Sequence, residues 1–104
     1  MDNAIAFADL FGQDKDGRRF PIKVEIGAPY QSGDDPETWR CPVRIDPLYS
    51  HLRDIAGADG FQALCLASRL AVSVLRGYVE DGGRLLHDDD TEFSLDSYVP
   101  KDAQ

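Results

Sequence analysis

Acidic side chains that could hold a metal ion are concentrated near the end of the sequence. Asp88, Asp90 and Glu92 alternate along the chain and could offer carboxylate oxygens to calcium. A calcium loop of the EF-hand type needs glycine at its sixth position and glutamate at its twelfth. Counted from Asp88, those positions hold Phe93 and Val99. The spacing therefore favours a solvated turn, and no metal ligand is assigned.

Histidine and cysteine side chains give no stronger signal. His51 and His87 each have an aspartate within three residues, but no second histidine or cysteine stands at ligand spacing. Cys41 falls on an apolar strand face and Cys65 on an apolar helix face, so we expect two reduced core thiols that could face each other. The sequence also lacks a nucleophile elbow, a P-loop and a glycine-rich dinucleotide loop. No catalytic or cofactor-binding residue is assigned, and we expect a protein that is not an enzyme.

The charge balance is strongly acidic. The chain has 19 acidic and 11 basic residues and a formal net charge of −8, which disfavours nucleic-acid and anionic membrane partners. The sign would suit a basic protein partner, although acidity can also serve solubility alone. The candidate partner-binding residues lie in two predicted acidic loops: Asp34, Asp35, Glu37, Asp88, Asp89, Asp90 and Glu92.

Basic residues are predicted to share one face of the sheet. If the strands pair as their alternation predicts, that face carries Arg19, Lys23, Arg40 and Arg44. Only Glu25 opposes them, so this local basic patch could bind a carboxylate or a phosphate. The alternative is that these side chains pair with the acidic loops.

Alternation of apolar and polar residues predicts three strands in the first half of the chain. They span Ala4 to Phe11, Arg19 to Ile26 and Thr38 to Ile45, and the Asp16-Gly17 step is typical of a hairpin turn. Pro42 lacks a backbone donor, which predicts a sheet edge or a bulge in the third strand.

A long helix follows. Asp59 is placed to cap it, with Gln62 completing a capping box, and the helix should run to about Val79 and stop at Gly82-Gly83. The apolar face expected to lie in the core contains Phe61, Leu64, Cys65, Ala71, Val72, Leu75, Tyr78 and Val79.

A second apolar stripe on the same helix predicts an interface. It consists of Ala63, Leu66, Leu70, Val74 and Gly77. One sheet cannot cover both faces, so a homodimer is one hypothesis. The alternative is that the segment from Leu48 to Ile55, interpreted as a short irregular helix, folds over the stripe.

Two short strands are predicted after the helix. Arg84 to His87 and Glu92 to Leu95 flank a turn at Asp88-Asp89-Asp90, and a polar, loose tail spans 97–104. The 104 residues suit one domain. The predicted fold is α+β, with an antiparallel sheet of four or five strands and one long helix packed on one face, in the order β-β-β-α-β-β.

Several short runs carry a family resemblance. Gly57-Ala58-Asp59-Gly60-Phe61-Gln62-Ala63-Leu64, with Gly27-Ala28-Pro29, Trp39-Arg40-Cys41 and Gly82-Gly83-Arg84-Leu85, resembles a family of small bacterial proteins of unknown function. The resemblance covers most of residues 20 to 87. It implies no activity and no catalytic residues.

The location and role follow as expectations. The N-terminus shows no signal peptide and no apolar run reaches about 18 residues, so a cytoplasmic protein is expected. We favour a non-enzymatic protein-interaction module. The alternatives are a domain that binds a small anionic ligand and an immunity- or antitoxin-like inhibitor of a basic partner.

Overall fold

Two antiparallel sheets and one long helix form the structure. The computed structural model describes residues 4–33, 37–49 and 53–98. In chain order the elements are β1 (Ala4–Gln13), β2 (Arg19–Gly27), β3 (Tyr30–Gln31), β4 (Trp39–Cys41), β5 (Val43–Asp46), β6 (Ile55–Gly57), α1 (Gly60–Glu80), β7 (Arg84–Leu86) and a 3₁₀ helix (Leu95–Ser97). The predicted α+β fold, with one helix packed on an antiparallel sheet, is confirmed.

The larger sheet has four strands in the order β5-β2-β1-β7. All neighbours are antiparallel, and Leu10 of β1 lies opposite Ile22 of β2. The apolar face predicted for β2 is confirmed, because Ile22, Val24 and Ile26 are all buried, but Glu25 of the opposite face is buried as well. This apolar face supplies much of the core.

The smaller sheet has three strands in the order β3-β4-β6. We predicted one strand from Thr38 to Ile45, and the structure divides it at Pro42 between the two sheets. Pro42 cannot donate to a strand ladder, and its carbonyl accepts from the Gly27 amide at 2.9 Å. The break lets β4 pair within the smaller sheet while β5 pairs with β2.

The helix predicted between Leu48 and Ile55 is wrong where the chain is described. Tyr49 forms a bridge with Ile45, and Ile55 begins β6. Residues 50–52 lie outside the described residues. The three-residue strand β6 was too short to give a periodic pattern in the sequence.

The ends of α1 agree with the predicted capping. The Asp59 carboxylate accepts from the Gln62 amide at 2.8 Å, and the Gln62 side-chain oxygen accepts from the Ala58 amide at 2.6 Å. At the other end, the Gly83 amide donates to the Tyr78 carbonyl at 2.9 Å, and Gly82 has φ of 104°. Glycine tolerates that left-handed conformation, which explains why the helix ends there.

The buried face of α1 differs from the prediction. It consists of Ala63, Ala67, Ala71 and Leu75, which repeat every four residues. Phe61 and Cys65, both expected in the core, are exposed, and Leu64 is only partly buried. Small alanine side chains let the helix backbone approach the sheets closely, and this close approach turns the larger apolar residues to the flanks.

The helix lies to one side of the larger sheet. It packs mainly against β4, β5 and β6, with smaller contacts to β2 and β7. The inner face at the beginning of β1 therefore receives little helical cover. Among the described residues, no helix is long and apolar enough to cross a membrane.

The predicted strand from Glu92 to Leu95 is also wrong. Glu92 forms only an isolated bridge with Leu86, and the chain then enters the 3₁₀ helix, capped by the Ser94 side chain. Leu95 is buried in the core from this position. The Ser94 cap favours a helical turn over a continued strand.

The core assignment of α1 can be tested by a pair of truncations. Leu75 is 1% exposed, so we expect Leu75→Ala to lower the free energy of unfolding by about 2–5 kcal/mol through lost burial and a cavity. Phe61 is 77% exposed, so Phe61→Ala should change it by no more than about 0.5 kcal/mol. Urea denaturation of both variants measures the difference, and equal losses would contradict the assigned helix face.

Gly57 provides a test of the close helix–strand contact. A Cβ atom at Gly57 would lie 2.6 Å from the Ala63 nitrogen and 2.9 Å from its Cα, so Gly57→Ala must move the backbone. We expect a loss of about 1–3 kcal/mol from this overpacking. Gly33→Ala is the matched control, because no atom of the described residues lies within 4 Å of its Cβ position. Thermal unfolding should separate the two variants, and an unchanged melting temperature for Gly57→Ala would refute the contact.

Candidate functional site

An open groove of about 440 Å³ lies between α1 and the inner face of the larger sheet. Its walls include Ala6, Ala8 and Val24 from the strands and Val72 and Leu75 from the helix. Two small side chains on β1 and the sideways position of α1 leave this space unfilled. The volume falls within the range of about 300–1,000 Å³ that is typical of small-molecule sites.

The polar side chains that line the groove are exposed to solvent, and we therefore place them at its mouth. Ser68, Arg69, Ser97 and Tyr98 line it together with the apolar residues. The Ser68 hydroxyl donates to the Leu64 carbonyl at 2.9 Å, which fixes it to the helix. Burial raises the pKa of Tyr98, so its hydroxyl stays protonated at neutral pH. An apolar interior with a polar mouth suits an amphipathic guest better than a guest that is polar throughout.

Arg69 differs from the other groove-lining residues in its charge. Arg69 is the only charged residue that lines the groove among the described residues. Its guanidinium forms no ion pair or hydrogen bond with another described residue. By contrast, Arg19, Arg44 and Arg84 each lie within 4 Å of a carboxylate. The guanidinium of Arg69 is thus available to an external anion.

The open edge of β1 lies next to the groove. Among the described residues, β7 is the strand that pairs on this side of β1, and it reaches only Phe11, Gly12 and Gln13. The stretch before them has no strand neighbour there within the described chain. It carries Ile5, 55% exposed, and Phe7, 68% exposed. Such an edge is a template for pairing with another strand.

The direction of the backbone groups at this edge follows from the hairpin. The Asp14 amide donates to the Arg18 carbonyl, so the even-numbered residues of β1 pair with β2 by hydrogen bonds. The alternate residues Phe7 and Asp9 therefore direct their amides and carbonyls away from β2, towards the open edge.

The four basic candidates are not all brought together. Arg40 lies on β4 of the smaller sheet, whereas Arg19, Lys23 and Arg44 lie on the larger one. The Arg19 guanidinium lies 2.8 Å from the Asp90 carboxylate and 3.8 Å above the Phe11 ring centre. Arg19 thus pairs with an acidic residue of the turn after β7, whereas Arg44 pairs with Asp46 of its own strand.

Acidic candidates are placed in two separate regions. Asp34 and Asp35 lie outside the described residues, and Glu37 is exposed. In the turn after β7, the Glu92 carboxylate lies 2.9 Å from Arg84.

The remaining aspartates of this turn are exposed. The Asp89 carboxylate accepts from the Thr91 hydroxyl at 2.6 Å and from its amide, which lowers the pKa of Asp89. Asp88 stands at the start of the turn and Asp90 pairs with Arg19. In the described ranges, no three metal-ligating side chains form a group that could hold a metal ion.

The predicted dimer stripe is divided by burial. Ala63 is fully buried against the sheets, so it cannot contact a second copy. Leu66 is exposed, while Leu70, Val74 and Gly77 are partly buried. Burial of Ala63 follows from the rotated helix face described above.

The groove and the open edge were not predicted from the sequence. Ala6 and Ala8 alternate along β1 on the strand face of the buried Leu10, whereas the larger residues Ile5, Phe7 and Phe11 lie on the opposite face. The one signal was the pair of alternating alanines, because small residues on a core-facing strand leave volume that neighbours must fill.

Comparison with known proteins adds the family. A family model described as a domain of unknown function, DUF6968, matches residues 10–96. The chain belongs to this family. The expectation of a family of unknown function is thereby confirmed. The search of curated proteins found no match, and neither did the search of solved structures. The DUF6968 match includes α1, the strands β2 to β7 and the last part of β1, from Leu10 to Gln13.

The two thiols give a direct check of the burial described above. Cys41 is fully buried and donates to the Gly27 carbonyl at 3.3 Å, and burial raises its pKa. Cys65 is exposed on α1. We expect a thiol reagent to modify one cysteine rapidly in the native protein and the second only after unfolding. Cys65→Ser should abolish the fast reaction, whereas fast modification of both thiols would contradict the core position of Cys41.

Proposed function

We propose that this domain is a non-enzymatic protein-interaction module that binds an extended segment of a partner protein at the open edge of β1. The observation that carries the proposal is the exposure of Phe7 beside backbone groups that no described strand engages. Strand addition uses such an edge for main-chain hydrogen bonds and uses adjacent side chains for selectivity.

Side-chain exposure supports a protein partner at this position. Ile5 and Phe7 present apolar surface on the same short stretch as the open backbone edge. Natural proteins commonly protect edge strands with lysine, proline or a bulge. Here the register between β1 and β2 is irregular between Ala4 and Ala6, while Phe7 and Asp9 follow in regular pairing. The regular part is the portion suited to a partner strand.

Charge favours a partner segment with basic residues. The net charge of −8 would attract such a segment, and Asp9 is exposed on the pairing stretch. Asp90 and Glu92 are already paired with Arg19 and Arg84, so they are weaker candidates for direct contact. An immunity- or antitoxin-like role remains a special case of the same proposal, in which the basic partner is an enzyme or toxin.

A peptide-display experiment tests the proposal. A library of extended peptides is selected on the wild-type domain, and the selected peptides are titrated against Phe7→Pro, Phe7→Ala and Phe7→Leu. Proline removes the edge amide without removing a β1–β2 hydrogen bond, whereas alanine removes only the side chain. We expect at least about a tenfold loss of affinity for Phe7→Pro relative to Phe7→Ala, equal to about 1.4 kcal/mol. Phe7→Leu should bind nearly as well as the wild type.

Circular dichroism and amide NMR spectra establish that the three variants are folded. Selected peptides that bind Phe7→Pro and Phe7→Ala equally well would overturn strand addition. So would peptide-induced NMR shifts that leave residues of β1 unchanged.

A further inference from the structure

We propose that the groove between α1 and the inner face of β1 and β2 is a binding site for a medium-chain aliphatic carboxylate. The aliphatic chain occupies the apolar groove and the carboxylate binds Arg69 at its mouth. The site goes beyond the proposed function, because it uses the helix side of the sheet and needs no backbone group of the open edge.

The shape of the groove favours a slender apolar guest. All the groove-lining residues on the strands are apolar, as are three on the helix: Ala6, Phe7, Ala8, Val24 and Ile26 from the strands, and Ala71, Val72 and Leu75 from the helix. These side chains carry no polar atom, so a guest placed among them gains from leaving water and finds no hydrogen-bond partner. An alkyl chain meets both conditions, whereas a sugar or a nucleotide would lose its hydrogen bonds there.

The charge at the mouth selects the head group. Arg69 is the charged residue among the groove-lining side chains of the described chain, and it forms no ion pair with the described acidic residues. A guanidinium presents two parallel donors that match the two oxygens of a carboxylate. In a chain of net charge −8, this arginine makes the mouth locally favourable to an anion that the rest of the surface repels.

Helix geometry connects the two parts of the site. Arg69 precedes Val72 by three residues, so the two side chains lie on neighbouring turns of one helix face. Both line the groove, as does Tyr98 from the segment after the 3₁₀ helix. The Tyr98 hydroxyl keeps its proton at neutral pH and can donate a second hydrogen bond at the mouth.

Titration with a homologous series of ligands measures the site. Hexanoate, octanoate, decanoate and decanol are added below their aggregation concentrations, and binding is followed by calorimetry and by amide NMR shifts. Each buried methylene is expected to raise the affinity by up to about fourfold. Decanoate should bind at least about tenfold more tightly than decanol, since only the acid carries the charge that Arg69 binds.

Two variants and one control separate the head group from the chain. Arg69→Gln should weaken decanoate binding at least about tenfold and leave decanol unchanged. Arg76→Gln makes the same charge change on the same helix outside the groove lining, so it should bind decanoate as the wild type does. Ala6→Leu places a larger side chain in the open groove and should weaken both ligands.

Several results would overturn the site. The first is that wild type and Arg69→Gln bind decanoate with equal affinity. The second is that Arg69→Gln and Arg76→Gln lose decanoate affinity equally. The third is that the folded wild type does not bind decanoate at millimolar concentration. Shifts confined to the outer sheet face would show that the ligand occupies another surface. Failure here leaves the edge-binding proposal standing, because the Phe7 variants test that proposal with peptides alone.

Discussion

The close approach of α1 to β6 determines where the rest of the molecule can lie. At Gly57 the strand comes so near the first turn of the helix that a single Cβ atom would meet the Ala63 backbone. Alanines at 63, 67 and 71 continue this contact along the buried face. Because the helix is held close to β4, β5 and β6, it cannot also cover the beginning of β1. The groove and the uncovered strand are thus two consequences of the same close packing, in which small side chains bring the helix and strand backbones together.

Some of this architecture was predictable because it depends on local sequence. The capping residues Asp59 and Gln62 and the glycines after Tyr78 set the limits of α1, and strict alternation in β2 identified its buried face. The rotation of α1 was not predictable, since Phe61 and Leu64 are more hydrophobic than Ala63 and Ala67 and only the tertiary contact at Gly57 reverses the order. The division of the strand at Pro42 depends on which sheet each half joins, and that is a long-range pairing. The groove was not predictable either, because its empty volume depends on how several elements pack and belongs to no single residue.

The distribution of charge could not be predicted from composition either. A net charge of −8 describes the whole chain, but the local environment of each group depends on its neighbours. Arg19 is held between Asp90 and the Phe11 ring, so a residue that appeared to be part of a basic patch instead fastens the turn after β7 to the sheet. Arg69 has the same charge and no such partner among the described residues. The two arginines therefore have different physical roles that their sequence neighbourhoods do not distinguish.

The short pairing between β1 and β7 has a consequence for cooperativity. The β1–β2 hairpin is local in the chain, whereas β7 follows the helix in the sequence and pairs with β1 only at Phe11, Gly12 and Gln13. Because the main-chain bonds to β1 are so few, burial of Leu85, Leu86 and Leu95 supplies most of the resistance to opening of this unit. If β7 detached, the unpaired edge of β1 would end at Gln13 and no longer at Leu10, while the rest of the sheet stayed folded. The length of accessible strand is then a thermodynamic variable, governed by burial of the leucines, by the Arg19–Asp90 ion pair and by the Arg84 hydrogen bond to Gln13.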